Sequence, residues 1–254
     1  MWYNILIKAE RVMEEEKVNG IVIRAADYQD NDRLVKLYTP EAGKVQAVLR
    51  GVKKAGAKLK YAAQLFHFGE YVFAAKSAGF RTVTNCASHE PFSKLYAGGA
   101  PETYFAASFI LDLIDKATPD REPNPEMFIL LLKALREFLK QNADPKMIAA
   151  YFTLKALRAA GYRYKFGECA ACGAPLRGPR KFDAYIGGMV CPVCGGPYSF
   201  SVTGAAGNAL RLLADCDFGD LERLKFGNKE INEAFKVLTT AAKGAFGIEI
   251  EYFG

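Results

Sequence analysis

GIVIRAADYQDNDRLVKLYTPEAGKVQAVLR, residues 20–50, decides how the first part of this chain folds. Gly20-Ile21-Val22-Ile23-Arg24 is an apolar run rich in β-branched residues, Asp30-Asn31-Asp32 is a turn, and Arg33-Leu34-Val35-Lys36-Leu37-Tyr38 is a second strand. Thr39-Pro40-Glu41-Ala42-Gly43 closes it. Lys44 to Arg50 then alternates polar and apolar, the period-two pattern of a strand with one buried face. Gly51 to Lys60 reads as a loop carrying Lys and Gly. Phe66–Ala75 and Phe80–Cys86 read as two more strands, joined by a turn at Ser77-Ala78-Gly79. Five short strands in about seventy residues predict a small Greek-key barrel of the OB-fold type.

Barrels of this type bind nucleic acid through basic side chains and stacked aromatics. The basic side chains are present. Arg33, Lys36, Lys44, Arg50, Lys53, Lys54, Lys58 and Lys60 stand between positions 33 and 60 against one acid, Glu41, in a chain of net charge +6. A local excess of this kind favours a polyanion, because neutralising phosphates releases condensed counterions. Most of the aromatics Tyr28, Tyr38, Tyr61, Phe66, Phe68, Tyr71 and Phe73 are assigned to the core, and none is singled out for stacking.

Beyond about Glu102 the apolar period lengthens to three and four residues, which predicts helices over Thr103–Lys116, Pro125–Gln141 and Pro145–Ala160. Pro101, Pro125 and Pro145 stand at or near helix starts, where a missing N–H costs nothing, and Gly161 is placed to cap the third helix. Helices resume over Thr203–Ala214, with Thr203 as N-cap, and over Glu230–Phe246. Between them, Cys169 and Cys172 are separated by eighteen residues from Cys191 and Cys194. Two Cys-x-x-Cys pairs at this spacing read as a four-thiolate zinc site, ahead of free thiols, disulfides or an iron–sulfur cluster. A site with four protein ligands has no open position for water, so the expected role is structural. Cys86 and Cys216 have no partner spacing and are assigned to apolar packing.

The expected fold class is therefore α+β and multidomain. It comprises an OB-fold DNA-binding barrel over 1–86, a helical domain over 87–165 and 201–254, and an inserted zinc module over 166–200. Catalytic motifs are missing. Gly51 to Lys58 lacks the Lys and Ser/Thr order of a phosphate loop, and His89-Glu90 does not fit a zinc deaminase. His67 lies in an aromatic-rich stretch and reads as a packing or surface residue. A non-enzymatic binding protein is expected, in the cytoplasm and without a membrane span.

Several stretches together resemble the RecO family of bacterial DNA repair proteins. They are Gly20–Arg24, Asp27-Tyr28, Asp32–Val35 and Thr39–Lys44, then Asn124–Phe128 opening a helix, and Tyr151-Phe152 to Ala160-Gly161-Tyr162 leading into Cys169-x-x-Cys172-Gly173. Gly187-Gly188 before Cys191-x-x-Cys194 completes the order. The resemblance implies a recombination mediator of the RecF pathway, nucleoid-associated in bacteria. Such a protein binds single- and double-stranded DNA and anneals complementary strands. It acts with RecR to help RecA replace single-strand-binding protein, without ATP. The resemblance places DNA contacts at Arg33, Lys44, Arg50, Lys53 and Lys54, while Lys36, Lys58 and Lys60 are added on charge alone. Against the family's pattern, Met1 to Val12 reads as an extension or a misassigned start before its usual opening, and the tail Glu249–Gly254 is acidic rather than basic. The competing expectation is a zinc-stabilised scaffold for protein partners, with no annealing of its own.

Overall fold

The computed structural model describes residues 16–74, 80–97 and 100–247. Strands β1 (Glu16–Tyr28), β2 (Asp32–Thr39), β3 (Gly43–Leu49), β4 (Phe68–Phe73) and β5 (Arg81–Ser88) close into a barrel in the order β1-β2-β3-β5-β4. The parallel pairing of Ala47 with Arg81 and Val48 with Thr82 joins β3 to β5. β1 closes the seam by serving two partners: Glu16–Ile21 pairs with β4, and Ile21–Tyr28 pairs with β2. A register shift between Val22 and Arg24 bends it between the two, as an irregular residue in a strand does. The inward positions hold Val22, Val35, Leu37, Val45, Ala47, Leu49, Tyr71 and Phe73, the alternation expected from the sequence.

β1 is longer at both ends than its apolar run, because backbone pairing continues through the exposed Ala26 and Asp27. Phe66, expected in a strand, instead has φ +66° and a fully buried ring. It lies in the connection before β4, tied by its N–H to the Val22 carbonyl at 3.1 Å. The expected turn at Ser77–Gly79, the extension Met1–Val12 and the tail 249–254 lie outside the described residues.

A short helix α1 (Lys94–Ala97) leads to α2 (Pro101–Ala117), α3 (Pro125–Lys140) and α4 (Pro145–Ala159). Each long helix opens on proline, and Asn124 and Asp144 cap α3 and α4 by accepting first-turn N–H groups. α4 ends at a left-handed Gly161, with Gly161 N–H donating to Arg158 O and Tyr162 N–H to Leu157 O, a Schellman closure. After the cysteine module come α5 (Gly204–Asp215), capped by Thr203, and α6 (Asn228–Phe246). α4 is the central helix, and residues from α2, α3, α5 and α6 share its core. The helices before and after the cysteine module share one apolar cluster. β6 (Arg180–Asp183), β7 (Gly188–Val190) and β8 (Phe200–Val202) form a small antiparallel sheet that the helical periodicity did not reveal. Among the described residues no helix is long and apolar enough to cross a membrane.

The barrel is fastened to the bundle. Ile21, Ile23, Tyr38, Phe66 and Phe68 belong to the same apolar cluster as the helices. At the edge of that contact, Arg24 pairs with Asp112 at 2.8 Å and Asp115 at 3.1 Å, and Lys36 reaches Asp115 at 2.6 Å. Lys44 pairs with Asp120 at 3.0 Å and also donates to the Asp115 carbonyl at 2.8 Å. Gly43, with φ +62°, is required here, since a Cβ would overlap the backbone of Glu122.

His67 is buried within the barrel domain. Tyr71 Oη gives its hydrogen to Ala62 O at 2.9 Å, so Nδ1 carries the imidazole proton and donates to Tyr71 at 2.7 Å. Nε2 then accepts from Ser88 Oγ at 2.9 Å. Burial lowers its pKa from 6.5 to about 4. Between those values the unfolded chain binds a proton that the folded chain refuses, so stability falls as pH drops. The loss reaches about 3 kcal/mol by pH 4 from this group. Thermal midpoints from pH 7 to pH 4 should fall more steeply in the wild type than in His67→Gln. Equal slopes would remove His67 as the cause.

Candidate nucleic-acid interface and metal centre

The loop after β3 is not slack. Val52 is buried in the barrel core and Leu59 packs against it, while Lys53, Lys54, Lys58 and Lys60 face outward. Successive turns stiffen it: Lys54 N–H donates to Gly51 O, Ala57 N–H to Lys54 O, and Lys60 N–H to Ala57 O, at 3.2–3.3 Å. At its base, Asp32 accepts from Gly51 N–H at 2.7 Å. A loop fixed in this way presents its ammonium groups in a set array, so little order remains to be imposed when a polyanion arrives.

Arg33, Lys53 and Lys60 converge on a cleft of about 410 Å³, lined also by Ala25, Val52, Gln64, Leu65 and Tyr96. Arg33 donates to the Ala63 carbonyl at 3.3 Å and lies 3.4 Å from Asp27, which also receives Lys53 at 2.7 Å. The Lys53 ammonium, followed by the Arg33 guanidinium, holds the Asp27 carboxyl below its usual range, so it stays an anion among the cations. Arg50 and Lys54 line a separate recess beside the Gln29–Asp32 turn.

Two of the expected DNA contacts are already engaged in ion pairs. The Lys44 side chain is 6% exposed and its ammonium is enclosed by Asp115 and Asp120. Lys36 is bonded to Asp115, whose side chain is 10% exposed. Burial pushes Asp115 up, but Lys36 and Arg24 more than offset this and leave it ionised. Both lysines are engaged in joining barrel to bundle, and both also line a cavity of about 510 Å³ with Arg81 and Arg121. Their acidic partners lie more than seventy positions downstream, where a count of local charge does not reach. Tyr96, conversely, belongs to the cleft and was not singled out from the sequence. It stands on a four-residue helix with no periodic signature.

All four predicted metal ligands come together. The Sγ atoms of Cys169, Cys172, Cys191 and Cys194 lie within 4.8 Å of one another. A tetrahedral ion with sulfur at about 2.3 Å needs S···S separations of about 3.8 Å, so the cluster fits one. Each pair forms a tight knuckle. Gly173 N–H donates to Cys169 O at 2.8 Å, and Gly195 N–H to Cys191 O at 3.1 Å, while Cys191 N–H points at Cys169 Sγ at 3.4 Å. Burial pushes the Cys169 thiol up, but backbone N–H groups of the knuckles outweigh this and bring it to about 6. Hydrogen bonding with Cys191 and Cys172 pushes Cys194 up to about 12. Four adjacent thiolates repel one another, and a bound cation would offset that repulsion. Gly188 (φ +155°) lets Lys165 pair against the sheet at a position where a Cβ would overlap the Lys165 backbone. The knuckle is thereby linked to the segment leaving α4.

A third feature lies on the bundle. A groove of about 740 Å³ is lined by apolar Met127, Ile129 and Leu130 and by a rim of mixed charge, Lys133, Arg136, Lys140 and Lys155 beside Glu126, Glu137 and Asp217.

Comparison with known proteins gives consistent results. A family profile described as Recombination protein O N terminal matches residues 13–92, and one described as Recombination protein O C terminal matches residues 99–244. A DNA repair protein RecO of Desulfitobacterium hafniense strain Y51 is 34% identical over 225 residues, covering 85% of this chain and 81% of the relative. The protein of the same name from Listeria monocytogenes serotype 4b is 34% identical over 179 residues, 70% of this chain and 68% of the relative.

Proposed function

Because this chain belongs to the RecO family of DNA repair proteins, we propose that it is a non-enzymatic recombination mediator whose barrel holds DNA phosphates in the Arg33–Lys53–Lys60 cleft. The observation that carries this reading is that cleft: three cations on a stiffened loop and strand of a closed five-stranded barrel, beside an exposed aromatic ring. Arg50, Lys54 and Lys58 extend the positive surface along the same loop. Lys36 and Lys44 serve the joint between domains. The cysteine cluster holds one zinc ion with all four protein ligands engaged, so the ion ties Cys169 and Cys172 to Cys191 and Cys194 and supplies no chemistry to a substrate.

Annealing requires two polyanions to approach each other. A fixed cationic surface lowers that repulsion by replacing mobile counterions, and no nucleotide is consumed. The protein would act in the bacterial cytoplasm at the nucleoid, on single- and double-stranded DNA, with RecR and single-strand-binding protein as partners and RecA loading as the outcome. The apolar groove on α3 and α4, with its rim of mixed charge, supports a protein partner, and it is also what favours the competing scaffold reading.

The two readings separate in one assay. Complementary strands coated with single-strand-binding protein should anneal when this protein is added without nucleotide, and the rate should fall steeply as salt rises. Binding to the coating protein with no gain in annealing at any salt would leave only the scaffold.

A further inference from the structure

The cleft does not end at its cations. Tyr96 lines it and is 54% exposed, and from there an unbroken row of rings runs onto the bundle. Tyr96 meets Tyr104 edge-on at 6.0 Å, and Tyr104 meets Phe105 at 5.8 Å. Tyr104 is anchored beneath by Phe66, also edge-on at 6.0 Å. Phe105 is 45% exposed at the far end. Large apolar rings cost free energy in water, and a contiguous exposed set beside a basic cleft has a physical complement in unstacked nucleobases. Duplex DNA cannot satisfy these rings, because its bases are already stacked on one another.

We infer that Tyr96 and Phe105, supported by Tyr104, form a base-stacking track that takes single-stranded nucleobases while the adjacent cleft holds the phosphates. This rests on the mediator reading and adds a division of labour to it. The barrel holds the backbone, and the start of the bundle holds the bases apart from each other. A strand held by its backbone with its bases splayed retains free Watson–Crick edges, the state in which a complementary strand can pair. Occupancy by nucleic acid, rather than by a protein, is argued from the cations of Arg33, Lys53 and Lys60 at the head of the row.

The test is binding of a fluorescent single-stranded oligothymidine and of a blunt duplex, over a range of salt, to the full-length protein and its Tyr96→Ala, Phe105→Ala, Tyr96→Trp and Lys53→Gln variants. Tyr96→Ala and Phe105→Ala should each weaken single-strand binding about tenfold, by loss of one stacked base. Their salt slope should be unchanged, since no phosphate contact is lost, and Tyr96→Trp should restore affinity. Lys53→Gln should instead reduce the slope by about 0.7. Both rings are exposed, so folding should persist, and an unchanged thermal midpoint confirms it. Oligothymidine binding that is salt-dependent in the wild type and unchanged in both alanine variants would overturn the track while leaving the mediator reading intact. Equal losses on the duplex and the single strand would also overturn it. A wild type that binds neither DNA overturns the mediator reading itself, and the track with it.

Discussion

Removing the metal is expected to open the cysteine knuckles and to weaken the whole bundle. Structural zinc contributes on the order of 10 kcal/mol to the folding of isolated zinc peptides. Here part of the module survives through contacts of its own, because Phe166, Phe182, Met189 and Val202 are buried in the same cluster as the helices. That coupling works in both directions. When the knuckles open, the sheet β6–β8 loses its closure, and its buried side chains leave a gap against α4, α5 and α6. A net loss of about 4 kcal/mol would lower the thermal midpoint by about 10 °C for a chain of this size. Chelation under reducing conditions, followed by metal analysis, should release one zinc per chain. Cys172→Ser should reproduce the loss, and added zinc should reverse chelation but not the substitution. Purified folded protein with four freely titrating thiols and an unmoved midpoint would refute a structural zinc. Oligonucleotide affinity should change far less than stability, because the cations of the cleft stand on β2 and the loop after β3, away from the cysteine module.

What could be read in advance follows from the range of each interaction. The barrel was visible because its alternation is local: Val35 and Leu37, then Val45, Ala47 and Leu49, face inward at every second position. The cysteine cluster was visible because ligand spacing is a chemical constraint written in the chain itself. The small sheet was hidden because three- and four-residue strands carry too few positions for a period. The charged face was half legible. Its cations are contiguous in sequence, but their partners are not. Asp27 stands just upstream of the basic segment and Asp115 well downstream, and these two acids decide which cations remain available. Tyr96 was missed for the opposite reason: nothing about its own neighbourhood marks it, and only the fold brings it beside Arg33 and Lys53.

The sharpest consequence is that two kinds of lysine, adjacent in sequence and equal in charge, should fail in different ways when neutralised. Replacing Arg33, Lys53 and Lys60 together with Gln removes up to three phosphate contacts. Each contributes about 0.7 to the single-strand salt slope, so the slope should drop by about 2. At 0.15 M salt that exponent corresponds to about fourfold per contact, and the triple variant should bind about fiftyfold more weakly. Its thermal midpoint should hardly move, because exposed pairs such as Lys53 with Asp27 contribute little to stability. Lys44→Gln should show the reverse. It leaves Asp120 without its ammonium partner and removes a donor from the Asp115 carbonyl, at a side chain almost closed to solvent. A stability loss of about 1 kcal/mol is expected, because Asp120 is largely exposed and Asp115 keeps Arg24 and Lys36, with the salt slope unchanged. Asp27→Asn provides the opposite arm for the cleft. It releases Arg33 and Lys53 from their carboxylate, and single-strand affinity should rise. If Lys44→Gln lowers the slope as much as a cleft substitution does, DNA reaches the face between the domains, and the Asp115 joint must open for it to bind.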